Sequence, residues 1–226
     1  LASGVSRTPK RVNDRLWSNR RPLELTITWI RHGQSEWNAE NRWQGHSESP
    51  LSELGREQAT ALGRRLLKSP YAFDAVYSSD LGRALETARL ALPNVEIRID
   101  PRLREIHFGA FEGRAFDQLD PAQRDEVSSW WRSPYDRALP GGGESMAELR
   151  SRVDSWRLEQ EAGLRIAVFT HGGVIRDALW RETSPPAEGA WSFVIDNTSL
   201  TVIAYSERRN LIARVNDCAH LENCQD

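Results

Sequence analysis

The stretch LTITWIRHG, Leu25 to Gly33, decides how the fold is read. Leu25–Ile30 are apolar, β-branched or aromatic and too few for a stable helix, so they read as a strand. The strand runs directly into Arg31-His32-Gly33. Placing an arginine and a histidine at a buried strand end is costly unless an opposite charge arrives to meet them. Three further runs have the same character: FDAVYSS (73–79), VEIRI (95–99) and RIAVFT (165–170). Between them lie helical patterns. LSELGREQATALGRRLLK (51–68) puts Leu51, Leu54, Ala59, Leu62 and Leu66 largely on one face, and LGRALETARLAL (81–92) repeats the pattern. Ser145 and Glu148 stand in capping-box spacing at the head of SMAELRSRVDSWRLEQE.

Strands alternating with helices predict a three-layer α/β/α fold with a mostly parallel central sheet. SLTVIAYSERRNLIARVND near the end reads as two strands around a turn, hence an antiparallel edge. Residues 110–144 carry no strand signal; with Pro, Gly and the pair Trp130-Trp131 they read as a lid-like helical insertion. The organisation predicted is a basic arm over 1–22, one catalytic domain over 23–218 and a tail over 219–226.

Composition narrows the class. The chain has 226 residues, 39% hydrophobic and 27% charged, as an ordinary globular protein does. A net charge of −2 gives no case for nucleic-acid binding, and no apolar run approaches the roughly 20 residues of a membrane span. The arm over 1–22 holds six basic residues against Asp14 alone, without a signal-type apolar core, and reads as solvated. Cys218 and Cys224 are the two cysteines; a disulfide framework is excluded, and two free thiols in a reducing cytoplasm are expected, with a single terminal loop closure as the alternative. The oligomeric state is left open.

In an open parallel sheet, ligands bind beyond the carboxyl ends of the strands. There the first strand presents Arg31-His32-Gly33, the strand at 165–170 presents His171-Gly172-Gly173, and the strand at 73–79 runs into Asp80-Leu81-Gly82-Arg83. Two histidines and two arginines thus meet at one sheet edge. The glycines would let a ligand approach the backbone, the helix after His171 would aim N–H groups at an anion, and the arginine forks suit phosphate. Cations beside the histidines would repel a divalent metal, so no metal site and no cofactor are expected. Trp37, Trp43, Trp130 and Trp131 flank this edge or the insertion and would wall the leaving group, whereas Trp156 and Trp180 read as core.

RHGQSEWNAENRWQGHSESPLSELGREQA, SSDLGRALETA, LREIHFGAFEG and THGGVIRDAL resemble, in order, four blocks of the histidine phosphatase superfamily, nearest its small phosphoglycerate-mutase-like phosphatases. The likeness spans about 25–218. It implies phosphorylation of His32, with Arg31, Arg83 and His171 completing the phosphate pocket and Glu105 as proton donor. It also puts Gly33, Ser35, Asn38, Gln44, Gly45 and Gly172 at the substrate. Ser35 stands where threonine is usual in the family and keeps the hydroxyl.

The chemistry is coherent on its own terms. Neutral His32 attacks phosphorus in line, splitting a very slow hydrolysis into two easier steps. The arginines, with His171 if it is protonated, stabilise charge on the non-bridging oxygens. An anionic ester beside Glu105 favours its protonated form, ready for the leaving alkoxide. The expected ligands are a small phosphorylated substrate and inorganic phosphate. A cofactor-dependent phosphoglycerate mutase is the alternative, disfavoured because the span from Glu105 to Gly143 is short. A silent phosphate-binding protein is a third reading, though no pocket residue is missing. His107 is read as an outer neighbour of the pocket, and His220 receives no role.

Overall fold

A computed structural model describes residues 25–68, 72–184 and 191–222. The basic arm over 1–22 and Cys224 lie outside the described residues. Six strands form one sheet: β1 (Leu25–Arg31), β2 (Ala75–Ser78), β3 (Arg98–Ile99), β4 (Leu164–Thr170), β5 (Leu200–Tyr205) and β6 (Leu211–Asp217). Their order is β3-β2-β4-β1-β5-β6. The first four are mutually parallel, while β5 pairs antiparallel with β1 and β6 antiparallel with β5. The mixed sheet with its antiparallel edge is the predicted one.

Burial on both faces explains why the central strands carry no charged residue over 26–30 and 166–170. In β1, Ile27 and Trp29 enter one core and Ile30 the other; in β4, Ile166 and Val168 are divided from Ala167 and Phe169 in the same way. Helices α2 (Glu53–Leu67) and α3 (Gly82–Ala91) cover the Ile30 face through Leu62, Leu66 and Ala88. On the Trp29 face, α5 (Met146–Leu158) and α6 (Gly172–Thr183) contribute Val153, Trp156, Ile175 and Leu179. Ser145 closes the expected capping box with Glu148. A four-residue α1 (Glu36–Ala39) follows β1.

Two differences from the expected elements have physical causes. The run 95–99 pairs only at Arg98–Ile99, because β3 is the sheet edge, with Val95 and Ile99 half exposed. Within 110–144 lies α4 (Pro121–Arg132), started by Asp120 and by Pro121 in its first turn. Val127, Trp130 and Leu139 from this segment are buried in the main core, so part of the insertion is structural. Trp130 is therefore core rather than a wall for substrate.

Register places the site. Arg31 pairs with Thr170, and Ser78 with Phe169. His32 and His171, the next residues on β1 and β4, consequently emerge side by side, with Ser79 after β2 one residue behind, level with Thr170.

Candidate active site

His32 is 2% exposed and His171 fully buried, with ring centroids 5.1 Å apart. His32 Nδ1 lies 2.7 Å from the Gly33 carbonyl, which can only accept, so Nδ1 carries the proton and Nε2 keeps its lone pair. The backbone of His32 is clamped: its N–H donates to Thr170 O, and its carbonyl accepts from Thr198 N and Asn197 Nδ2. Burial, then the Arg83 and Arg31 charges, holds the His32 pKa well below the ordinary value. His171 is depressed likewise, by burial first and then by Arg83 and His32. Both rings are therefore neutral near pH 7.

Arg83 is buried in the first turn of α3 and donates to Ser47 O at 2.9 Å and Gly45 O at 2.7 Å. A surface pair with Glu86 does not form; Glu86 pairs with Arg56. Arg31 donates through Nη1 to Ile195 O. Burial lowers both guanidiniums to about 10, with Arg176 the next contributor at Arg31, and both stay charged at neutral pH. Arg31 Nε, Arg83 Nε and His171 Nδ1 are buried without a hydrogen-bond partner among the described residues. Buried polar nitrogens are seldom left unpaired. Three of them, two cationic, on residues grouped around His32 make a pocket complementary to an anion.

Glu105 accepts from the N–H groups of Gly173, at 3.0 and 3.2 Å, and of Ile106. The glycines of the strand ends make room for protein groups. A Cβ on Gly173 would sit 2.2 Å from Glu105 Oε1, and one on Gly33 would sit 2.5 Å from Gly55 O in α2. The α6 N-terminus thus already holds the Glu105 carboxylate. Gly45, at φ +56°, turns its carbonyl to Arg83.

The other expected substrate residues are tied together. Ser35 is fully buried, caps α1 through Asn38 N and donates to Gln44 Oε1 at 2.7 Å. Asn38 Oδ1 accepts from Ser35 N and Asn197 Nδ2. Gly172 opens α6, with Arg31 Nε and Arg176 Nη1 both near the point a Cβ on it would occupy.

Several supporting residues were not singled out from sequence. Thr87 accepts from Gly33 N and donates to Arg83 O, joining the two strand ends; its place four residues after Arg83 was the available signal. Ser79 Oγ meets His171 Nε2 at 2.9 Å. Arg152 on α5 donates to the carbonyls of Arg102, Arg104 and Glu105 and pairs with Glu144, fixing the segment that presents Glu105. Glu112 accepts from His46 N, Ser47 N and Phe108 N and so shapes the loop that holds Arg83. His107 lies at the outside, and among the described residues no three His, Cys, Asp or Glu side chains are grouped to hold a metal.

The model of the histidine phosphatase superfamily (branch 1) matches residues 27–218. The chain belongs to the histidine phosphatase superfamily. It is a phosphatase of that family, acting on phosphoric monoesters. A metal-independent phosphoserine phosphatase of Arabidopsis thaliana is 36% identical over 218 residues, covering 92% of this chain and 89% of the relative. Phosphoglycerate mutase-like protein 4 of the same plant is 35% identical over 203 residues, covering 87% and 86%. Among solved structures, Bacillus stearothermophilus YhfR superposes with a TM-score of 0.74 at 35% identity, over 87% of this chain and 99% of that one. Among the described residues no helix is long and apolar enough to cross a membrane.

Proposed function

We propose that this histidine phosphatase hydrolyses small phosphorylated metabolites without a metal, through a phosphohistidine on His32. The observation that carries the reading is the set of unpaired buried nitrogens, Arg31 Nε, Arg83 Nε and His171 Nδ1, beside a neutral His32 whose Nε2 bears the lone pair. In the first step Nε2 attacks phosphorus, a P–N bond forms and the ester P–O bond breaks. The two arginines and His171 Nδ1–H hold the non-bridging oxygens as charge redistributes. Glu105 gives its proton to the departing alkoxide. In the second step Glu105 takes a proton from water, the hydroxide oxygen bonds to phosphorus and the P–N bond breaks, returning Nε2 and releasing phosphate.

His171 serves as a neutral donor here. In this role the Ser79 hydroxyl, 2.9 Å from Nε2, is the donor, which leaves the proton on Nδ1. The likeness to a metal-independent phosphoserine phosphatase supports small phosphorylated amino or hydroxy acids as the substrate class. The test is hydrolysis of p-nitrophenyl phosphate and phosphoserine in EDTA by the wild type and His32→Ala, with base-quenched trapping of radiolabelled enzyme. The expected result is EDTA-resistant phosphate release and an acid-labile, alkali-stable label, both lost in the variant. Chelator-sensitive turnover, or turnover surviving in His32→Ala, would overturn the proposal. Isomerisation of phosphoglycerate in place of phosphate release would point to the mutase.

A further inference from the structure

Beside the phosphate pocket runs a groove of about 560 Å³ lined by Trp43, Phe108, Trp131, Trp191, Arg132 and Arg176. Four aromatic walls suit an apolar ligand body, yet two guanidiniums share the space. Arg176 leaves α6 one turn after Gly172 and donates through Nε to Phe193 O at 3.0 Å. Its two terminal nitrogens have no hydrogen-bond partner among the described residues, and it forms no ion pair with a carboxylate there. The point where a Cβ on Gly172 would lie is 2.9 Å from Arg176 Nη1 and 3.8 Å from Arg31 Nε. The second cation therefore borders the first, and Glu105 is the carboxylate acting on it. Arg132, exposed and also lining the groove, likewise has no partner among the described residues.

A partly buried cation that bonds to no carboxylate is costly. It persists most readily where a ligand supplies the counter-charge, and the two phosphate-gripping arginines already serve the transferring group. We infer that Arg176, with Arg132 at the rim, is a specificity-determining anion subsite. It takes a second negative group, carboxylate or phosphate, carried on the leaving group of the ester. The guanidinium fork suits either group, and the aromatic walls keep water from competing for it. This rests on the phosphatase reading above and names the feature that selects among its substrates.

Phosphoserine and phosphoethanolamine differ by one carboxylate, and glycerol bisphosphate and glycerol monophosphate by one phosphate. The experiment measures kcat/KM on both pairs for the wild type, Arg176→Gln and Arg176→Lys. The wild type should prefer the anion-bearing member of at least one pair by about 10- to 100-fold, the scale of one buried charge-assisted hydrogen bond. The pair that shows the preference identifies the anion. In Arg176→Gln that ratio should collapse toward unity, chiefly through KM, and Arg176→Lys should restore part of it. Whatever common factor the substitution costs both members is divided out. No preference in the wild type, or an equal loss on both members in Arg176→Gln, overturns the inference; the latter would put Arg176 on the transferring phosphoryl or in a purely structural role. If the wild type turns over none of these esters and not p-nitrophenyl phosphate, the phosphatase reading fails by itself. Calorimetric titration of the same pairs into the wild type and Arg176→Gln then decides the subsite, by whether an affinity ratio of about tenfold or more exists and disappears.

Discussion

Ser79→Ala removes a single oxygen that touches neither substrate nor nucleophile, and the structure sets how much that should cost. Ser79 is fully buried at the end of β2; its Oγ accepts from Leu81 N at 3.3 Å and meets His171 Nε2 at 2.9 Å. In the tautomer proposed above, the oxygen takes the Leu81 N–H on one lone pair and gives its own proton to Nε2. This bond selects the tautomer with the proton on Nδ1, the nitrogen left for a phosphate oxygen. Without it Nε2 becomes a buried, unsatisfied acceptor, which costs about 1–3 kcal/mol, or roughly 5- to 150-fold at about 1.4 kcal/mol per decade. The assay is kcat/KM on one aryl and one alkyl phosphate, with the competitive inhibition constant for inorganic phosphate. Both esters should fall by the same factor, and phosphate should bind more weakly, because the lost contact is to the group they share. Activity within twofold of wild type would refute the tautomer argument. A loss confined to the alkyl ester would assign the effect to Glu105 instead.

Three other perturbations bear on the same machinery. Glu105→Gln should slow alkyl phosphates at least tenfold more than aryl phosphates with good leaving groups, since only the former need the proton; equal losses, read as kcat on matched esters, would sink the acid assignment. Gly173→Ala puts a methyl 2.2 Å from Glu105 Oε1 and should reproduce that selective loss with the carboxylate still present; a variant with unchanged leaving-group dependence would contradict it. The third concerns pH: burial, with neighbouring cations, depresses His32 and His171, and burial brings His220 to about 4. The unfolded chain therefore takes up protons first, so stability is full above about pH 6.5 and falls as pH drops below it, by at most about 1.4 kcal/mol per pH unit per histidine. Urea midpoints should decline between about pH 7 and about pH 5 while the acid limb of kcat/KM stays below pH 6.5; a flat midpoint would refute the burial account.

The sheet was legible because β1 and β4 are buried on both faces and so run without a charge through their centres, while β3 is an edge whose side chains face water and whose pairing cannot be counted from composition. The convergence of Arg31, His32, Arg83 and His171 was legible for a topological reason: parallel strands end at the same edge, and their register follows from the layer order. What could not be read is anything set by side-chain direction. Trp130 and Trp131 are neighbours in sequence, yet one is in the core and the other lines a groove. Arg176 sits in a helical pattern like any surface arginine, and only the turn of α6 over Gly172 brings it next to Arg31. That a Cβ on Gly33 would meet Gly55 and one on Gly173 would meet Glu105 could not be read from the sequence either.

His220 gained no role from sequence, yet it is buried against the floor of the catalytic edge. Its Nε2 meets Thr198 Oγ1 at 2.9 Å, its Nδ1 lies 3.4 Å from Arg65, and the backbone N–H of Thr198 donates to the carbonyls of Arg31 and His32. Two residues, Thr198 and His220, thus join the carboxyl-terminal segment to the nucleophile's own peptide unit. Removing residues from 220 onward would disturb the seat of the nucleophile without taking any residue from a strand. For this enzyme, where a cloning boundary is drawn is a question about turnover as much as about solubility.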